Sequence, residues 1–237
     1  SAVVIWSTLA AMAKSLLTVV PTFEALFLSS LIASVFLLVQ QGIRGGLRVF
    51  RAYDWRGYLA MAALGFIGLF VYSGLYFYGL SQLTSQEACI LNYLWPMMIV
   101  LFAALLLGER ITLRTAAALL LSFSGVVVLT LGGEGSAEGN GMLGAAACIL
   151  GALCYGLFCV LNKRRNLDQT VMMVVAWGVT ALCSLPVTLI MEEWVTLSWT
   201  QWAGMLWFGI FVNAVGYLWW AMALQEARSA ATVANLA

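Results

Sequence analysis

Long apolar stretches separated by short polar ones make up most of the chain. Eight of them can be marked, at residues 1–20, 22–43, 56–80, 86–107, 112–132, 141–162, 170–191 and 200–224. Each reaches the roughly 20 residues that a helix needs to cross the hydrocarbon core of a bilayer. Backbone polar groups find no water there, and the alternation typical of a β-barrel is missing from the sequence, so we expect helices. The pattern predicts an all-α membrane protein, and we number the stretches segments one to eight.

A ninth apolar segment begins near Ser229, but the sequence stops at Ala237, before a full crossing. We therefore expect the intact protein to continue beyond this point. The first residue is not Met, and no cleavable leader pattern precedes segment one, so we expect some N-terminal residues to be missing and segment one to be a true span.

Composition supports a lipid environment. Hydrophobic residues make up 63% of the chain and charged residues 9%, against roughly 45–50% and about 25% in soluble domains. The net charge of +1 argues against nucleic acid as a partner. Five cysteines all lie in apolar stretches, and we interpret them as packing residues rather than disulfides. The chain has no histidine, and we expect no metal site and no cofactor.

Basic residues occupy every second connection between segments. They are Arg44, Arg48, Arg51 and Arg56; Arg110 and Arg114; Lys163, Arg164 and Arg165; and Arg228. The intervening connections hold Glu87, Glu134, Glu138, Glu192 and Glu193, with no Lys or Arg. The positive-inside rule therefore predicts a cytoplasmic N-terminus. The Gly-rich stretch 132–141 then lies outside the membrane, where its composition is typical of a flexible connection.

An internal repeat relates the two halves of the chain. An offset of 144 places Gly209 on Gly65, Trp220 on Tyr76, Leu224 on Leu80 and Ser229 on Ser85, and an offset of 149 places Tyr155 on Trp6 and Lys163 on Lys14. A repeat of five spans is odd, so its second copy enters the membrane from the opposite side, as in many secondary transporters. We predict a first five-helix repeat at 1–132 and a truncated second repeat at 141–237, with ten helices in the intact protein.

One run of sequence resembles a known family. Residues 79–88 read GLSQLTSQEA, and residues 90–112 read ILNYLWPMMIVLFAALLLGERIT. This run is similar to the drug/metabolite transporter superfamily of the EamA type, in which segment four carries a central Pro and ends in Gly-Glu. Pro96, Gly108 and Glu109 stand at the matching positions. Within the superfamily, LNYLWP at residues 91–96 most resembles the bacterial aromatic amino-acid exporter branch.

The resemblance implies a secondary transporter that exports small solutes, most specifically aromatic amino acids, across the bacterial inner membrane by alternating access through a central cavity. The expected partners are the small-molecule substrate and membrane lipid, and a monomer is the expected oligomeric state. The alternative within the superfamily is another small metabolite or drug. A cationic drug is disfavoured, because no acid in the predicted middle of a span would pair with it.

Polar and aromatic residues collect on single faces of several predicted helices. Asn213, Gly216, Tyr217 and Trp220 share a face of segment eight, and Tyr72 and Tyr76 share a face of segment three. Such faces avoid lipid and are expected to line the cavity, where rings stack on a planar substrate. The alternative for Tyr and Trp is an interfacial belt, which we expect for Trp55, Trp194, Trp199 and Trp202 at segment ends.

Further candidates lie in segments one, four and six. Asn92 shares a face with Trp95 and could orient the polar end of a substrate. Pro96 removes a backbone hydrogen bond and is expected to kink segment four beside the cavity, or only to bend it for packing. Trp6 and Tyr155 are mid-span candidates for lining the pathway. Lys14 is either a counter-charge for a substrate carboxylate or a side chain that snorkels to the membrane surface.

The residues disfavour two other classes of function. An intramembrane enzyme would need a nucleophile with a base, or metal ligands, and the sequence has no histidine, no GxSxG, no HExxH and no Walker A run. A non-transporting membrane subunit would leave the aligned polar and aromatic faces without a purpose. Without a mid-span Asp, Glu or His, facilitated diffusion or exchange is favoured over a proton relay.

Overall fold

The structure is a computed structural model, and it describes residues 5–6, 16, 19–132 and 140–234. All elements in these residues are helical, which confirms the predicted all-α class. Six of the helices are long and apolar enough to cross a membrane: Thr22–Ile43, Trp55–Gln82, Gln86–Leu107, Gly141–Arg165, Gln169–Met191 and Trp199–Glu226. They correspond to segments two, three, four, six, seven and eight. Most of segment one and the centre of the Gly-rich connection lie outside the described residues.

The remaining elements are shorter or flank these spans. A 3₁₀ helix, Gly46–Ala52, follows segment two, segment five is the helix Leu113–Gly132, and segment nine begins with the helix Ala230–Ala234. Side-chain oxygens cap several helix starts. The Asp54 carboxylate accepts the Gly57 amide at 2.8 Å, and the Asp168 carboxylate accepts the amides of Thr170 and Val171, both at 3.0 Å. Such caps satisfy amides that have no partner within the helix.

Segment four is interrupted as expected, but the break precedes the proline. The helix Ser85–Asn92 ends at a turn over Tyr93 and Leu94, and a second helix, Trp95–Leu107, then begins with Pro96 in its first turn. Proline lacks the N–H that would bond to the Asn92 carbonyl, so the first helix stops there. In the first turn of the second helix the missing N–H costs nothing. Pro96 therefore starts a helix rather than kinking one.

Segments three and eight each contain a π-helical stretch that the sequence did not predict. Segment three runs as α-helix Trp55–Gly65, π-helix Phe66–Val71 and α-helix Tyr72–Gln82, and segment eight as Trp199–Trp207, Phe208–Gly216 and Tyr217–Glu226. The offset of 144 places residues 66–71 on 210–215, within the second π stretch. π-Helical turns are rare and occur frequently at functional sites.

The chain divides into two compact units. Unit one comprises Ser1–Phe70 and Arg165–Glu226, and unit two comprises Val71–Arg164 and Ala227–Ala237. Each unit therefore takes segments from both halves of the predicted repeat. The boundaries at 1–132 and 141–237 describe a relationship within the sequence and stay a prediction.

In unit one, segment seven packs along segment two and against the first part of segment three. A Cβ atom added to Gly65 would lie 2.5 Å from the Cα atom of Ala176, so glycine is what permits this approach. Two hydroxyls bond to backbone carbonyls of the unit. The half-buried Ser34 Oγ donates to the Val174 carbonyl at 3.0 Å, and the buried Thr180 Oγ1 donates to the Ala176 carbonyl at 2.9 Å. Nearby backbone thus satisfies these two hydroxyls.

In unit two, small residues on segment six let the second part of segment three approach closely. A Cβ atom on Gly144 would lie 2.7 Å from the Gln82 Cβ, and one on Gly151 would lie 3.4 Å from the Tyr72 carbonyl oxygen. On another side of segment six, a Cβ atom on Gly156 would lie 2.6 Å from the Met98 Cβ of segment four. These contacts are typical of membrane helices. The hydrophobic effect does not drive such helices together in lipid, and small residues allow the close van der Waals packing that does. The contacts bring Tyr155 of segment six close to aromatic residues of segments three and four.

Candidate functional site

An aromatic cluster in unit one consists of Trp6, Trp177, Tyr217 and Trp220, and we call it the Trp6 cluster. The Trp6 ring lies 5.2 Å from the Tyr217 ring in an edge-on arrangement and 5.6 Å from the Trp220 ring, measured between centroids. The Trp177 ring also meets the Tyr217 ring edge-on, with 5.0 Å between centroids. Three predicted candidates from segments one and eight are therefore brought together.

Gly216 allows Trp6 to lie against segment eight. A Cβ atom at Gly216 would lie 2.7 Å from the Trp6 Nε1 atom, and this nitrogen donates a 3.4 Å hydrogen bond to the Val212 carbonyl. Val212 belongs to the π-helical stretch Phe208–Gly216. Asn213, in the same stretch, is buried at 4% exposure, as a residue turned away from lipid should be.

A second aromatic cluster, in unit two, consists of Tyr72, Tyr76, Trp95 and Tyr155, and we call it the Tyr155 cluster. The Tyr155 ring stacks on Tyr72 at 5.1 Å between centroids and meets Trp95 edge-on at 5.4 Å. Tyr72 in turn stacks on Tyr76, with 6.4 Å between centroids and 12° between ring planes. Residues from segments three, four and six that the sequence proposed separately thus form one aromatic surface.

Asn92 adds an amide to the Tyr155 cluster. It is the last residue of the first helix of segment four, and its side chain lies within hydrogen-bonding reach of the Tyr72 hydroxyl. Its Oδ1 atom is buried and accepts no hydrogen bond from any described residue. A buried acceptor left without a partner costs roughly 1–3 kcal/mol. Such an atom is a candidate contact for a bound molecule that brings its own donor.

The two clusters resemble each other under the predicted repeat. The offset of 149 relates Trp6 to Tyr155, and the offset of 144 relates Gly216 to Tyr72. In unit one Trp6 contacts Gly216, and in unit two Tyr155 contacts Tyr72. Segments one and eight of unit one therefore meet at positions that correspond, under the predicted repeat, to those where segments six and three meet in unit two. One of the two residues is glycine in unit one, whereas both are tyrosines in unit two.

The remaining predicted residue is Lys14, which lies outside the described residues. Its counterpart Lys163 stands at the end of segment six, where Nζ donates a 2.7 Å hydrogen bond to the Ala227 carbonyl. That lysine holds the turn that leads into segment nine. The described residues contain no group of three or more His, Cys, Asp or Glu that could hold a metal ion.

The sequence profile of the EamA-like transporter family matches residues 1–131 of the chain, more than half of its length. The chain belongs to the EamA-like transporter family. This membership confirms the resemblance seen in residues 79–112 and makes the chain a small-solute transporter that spans the membrane several times. Its relatives in the family are transporters, not enzymes.

Individual relatives carry this EamA-family likeness over most of the chain. An aromatic amino acid exporter, YddG, of Ancylobacter novellus is 31% identical over 232 residues, which cover 95% of this chain and 78% of that protein. An uncharacterized transporter, YyaM, of Bacillus subtilis is 24% identical, covering 90% and 71%. A protein of Streptantibioticus cattleyicolor, named a probable terminal-alkyne amino-acid exporter, is 28% identical, covering 86% and 68%.

A solved crystal structure shares the fold. Its TM-score to this EamA-family chain is 0.79 at 26% identity, and the match covers 99% of this chain and 83% of the other.

Sequence reasoning missed two residues that the fold makes prominent. Trp177 joins the Trp6 cluster from segment seven, and its buried Nε1 atom has no hydrogen-bond partner among the described residues. A tryptophan in mid-span, away from the interfacial ends, was the signal that could have found it. Glu24, near the start of segment two, is 1% exposed and could have been found as an acid inside a span.

Glu24 forms part of a reciprocal contact in unit one. The Glu192 carboxylate accepts the amides of Phe23 and Glu24 at 2.9 and 2.8 Å, and the Glu24 carboxylate accepts the Val195 amide at 3.1 Å. Each acid thus satisfies backbone N–H groups of the other's segment. This geometry fixes the start of segment two against the connection between segments seven and eight.

Proposed function

We propose that this EamA-family transporter exports amino acids with aromatic side chains, by alternating access, across the inner membrane of a bacterium. The observation that carries the proposal is the Asn92 Oδ1 atom, a buried acceptor that has no hydrogen-bond partner in the described part of the chain and lies beside the rings of the Tyr155 cluster. An aromatic amino acid carries both an ammonium group, which can donate to this oxygen, and a ring, which can stack on the cluster. The name of the Ancylobacter novellus relative points to the same substrate class.

The proposed roles divide between the amide and the rings. The substrate ammonium donates to Asn92 Oδ1, a charged hydrogen bond worth roughly 1.5–3 kcal/mol. The substrate ring stacks on Tyr76, the partly exposed ring of the Tyr155 cluster, where an aromatic pair contributes about 0.5–1.5 kcal/mol beyond its buried area. The Trp6 cluster, its counterpart under the repeat, is proposed as a second aromatic surface of the pathway. Lys14 stays a proposed counter-charge for the substrate carboxylate.

A second candidate is an exporter of amino acids that is less selective for the side chain. The relative from Streptantibioticus cattleyicolor is named for terminal-alkyne amino acids, which have no aromatic ring. Asn92 would serve this substrate equally, because the ammonium group is common to all amino acids. The two candidates differ only in whether the rings of the protein favour substrates with aromatic side chains over other amino acids.

Counterflow into liposomes tests both candidates. The intact protein is reconstituted, loaded with unlabelled phenylalanine or tryptophan, and given the labelled form outside. We expect uptake above that of empty liposomes, competed by aromatic amino acids more strongly than by alanine or a terminal-alkyne amino acid. Equal competition by all three supports the less selective exporter. No uptake by protein that is shown to be folded contradicts both candidates and favours another metabolite or a drug.

Two pairs of variants test the proposed contacts. Asn92→Ala is expected to lower apparent affinity by roughly 10- to 100-fold, whereas Asn140→Ala, the same change in an exposed connection, is expected to leave it unchanged. Trp220→Ala removes a ring of the Trp6 cluster, and Trp219→Ala removes the adjacent ring, which is 49% exposed. We expect Trp220→Ala alone to impair transport. Similar effects within either pair would show that general destabilisation, not substrate contact, is being measured.

A further inference from the structure

The 3₁₀ helix Gly46–Ala52 and its two flanks form an exposed basic platform between segments two and three. Four arginines lie on it within a short stretch, and all four are exposed: Arg44, Arg48, Arg51 and Arg56. The stretch holds one acid, Asp54, whose carboxylate is already bonded to the Gly57 amide. The platform therefore presents concentrated positive charge at the ends of two membrane spans.

Regular geometry aligns two of these arginines. A 3₁₀ helix has three residues per turn and rises about 2 Å per residue, so side chains at i and i+3 eclipse. Arg48 and Arg51 are separated by three residues, and their side chains leave the same edge roughly 6 Å apart along the axis. A pair of guanidinium groups at this spacing can share one phosphate, each offering a planar fork of N–H donors.

The platform is fixed to the protein by several contacts. The Tyr58 hydroxyl donates a 2.6 Å hydrogen bond to the Phe50 carbonyl, and the Asp168 amide donates to the Tyr53 hydroxyl at 2.9 Å. At its start, Gly45 adopts a left-handed conformation with φ of 69°, which turns the chain out of segment two. A charge run that served only to orient the protein in the membrane would need neither fixed geometry nor fixed spacing.

Exposed apolar side chains surround the arginines. Ile43 is 83% exposed, Leu47 49% and Trp55 68%, and the Arg56 guanidinium carbon lies 5.5 Å from the centroid of the Trp55 ring. Tryptophan and arginine together at a segment end are typical of the membrane–water interface. An apolar rim around a cationic centre matches a ligand with both an anionic group and acyl chains.

We propose that this platform is a binding site for the headgroup of an anionic phospholipid, with Arg48 and Arg51 holding its phosphate and Ile43, Leu47 and Trp55 contacting its acyl chains. Basic segments beside a span attract anionic lipids by about 1 kcal/mol per residue. The aligned Arg48 and Arg51 and the apolar residues beside them would hold one lipid molecule at a defined place, beyond this general attraction. The proposal is independent of the transported substrate.

Native mass spectrometry and thermal unfolding of the intact protein in an uncharged detergent test the site. Phosphatidylglycerol is compared with phosphatidylcholine and with inorganic phosphate. We expect phosphatidylglycerol alone to bind and to raise the unfolding temperature. Equal binding of phosphatidylcholine would overturn the proposal, and equal protection by inorganic phosphate would reduce the platform to an anion site without acyl-chain contacts.

Matched double variants test the position of the charge. Arg48→Gln with Arg51→Gln is expected to weaken phosphatidylglycerol binding on the order of tenfold. Arg164→Gln with Arg165→Gln removes the same charge from an exposed pair at the end of segment six and is expected to have little effect. Equal losses would contradict a built site. If the glutamine pair does not fold, Arg48→Lys with Arg51→Lys keeps the charge and removes the forks, and unchanged binding there would overturn the proposed geometry.

Discussion

Gly65 decides how closely segments three and seven of unit one can pack. The position that its Cβ atom would occupy lies 2.5 Å from one backbone atom of Ala176 and 2.8 Å from its Cβ atom. Backbone cannot move aside as a flexible side chain can, so even the smallest side chain forces the helices apart. A glycine at the end of an α-helix, just before a π-helical stretch, is thus fixed by packing rather than by its dihedral freedom.

Gly65→Ala is expected to destabilise the protein, because overpacking of a close contact costs roughly 1–3 kcal/mol. The control is Gly125→Ala in segment five, where an added Cβ atom would meet no atom of the described residues within 4 Å. That change should be neutral or stabilise by up to about 1 kcal/mol through helix propensity. Thermal unfolding in detergent separates the two, and an unfolding temperature for Gly65→Ala at or above that of Gly125→Ala would contradict this account.

At the scale of elements, the Gly-Glu pair at the end of segment four has a clear structural basis. Gly108 ends the helix in a left-handed conformation with φ of 68°, which glycine adopts without strain. The chain then presents Glu109 to the start of segment nine. Its carboxylate accepts the Ser229 hydroxyl at 2.8 Å and the Ala230 amide at 2.9 and 3.0 Å. In this chain the Gly-Glu pair therefore joins two elements that are far apart in sequence.

Glu109→Ala is expected to loosen the start of segment nine, because an N-terminal cap contributes about 0.5–2 kcal/mol. Glu109→Gln keeps one acceptor oxygen and should lose less. Hydrogen–deuterium exchange of the peptide covering residues 227–234 measures the effect, with the peptide around Asp54 as internal control. Exchange that is unchanged at 227–234 in Glu109→Ala would show that this carboxylate does not hold the turn.

The helices were largely predictable from the sequence, and their internal irregularities were not. Apolar length alone predicts segments two to eight, because any span in lipid must satisfy its own backbone. The turn at Tyr93 and Leu94 follows from Pro96. It precedes the proline because Pro96 lies in the first turn of the next helix, which begins at Trp95. The π-helical stretches in segments three and eight have no local signal, because Phe66–Val71 is an ordinary apolar string.

At the scale of the whole molecule, segment two packs along segment seven, which is distant in sequence. The Ser34 hydroxyl bonds to the Val174 carbonyl, and a Cβ atom on Gly178 would lie 3.4 Å from the Ser34 oxygen. Under the offset of 149, segments two and seven are counterparts. Sequence comparison alone shows that two stretches are similar, but not that they pack together.

The predicted topology can be tested with single cysteines and a membrane-impermeant maleimide. Ala52→Cys on the basic platform is expected to be labelled only after cells are permeabilised, because the positive-inside rule places it in the cytoplasm. Thr196→Cys, between segments seven and eight, is expected to be labelled in intact cells. The unaltered chain, whose five cysteines all lie in apolar stretches, measures background. The reverse pattern would show that the orientation is wrong.

By itself, the sequence determined the class of molecule, the positions of the spans, the family motif and most of the candidate residues. These follow from composition and local pattern, since lipid imposes the same requirements on every span. The tertiary structure decided which candidates meet. Tyr72, Trp95 and Tyr155 form one cluster, and Trp6, Tyr217 and Trp220 form another, which Trp177 joins from segment seven. Contacts between distant segments depend on where small residues permit close approach, and that depends on both partners at once.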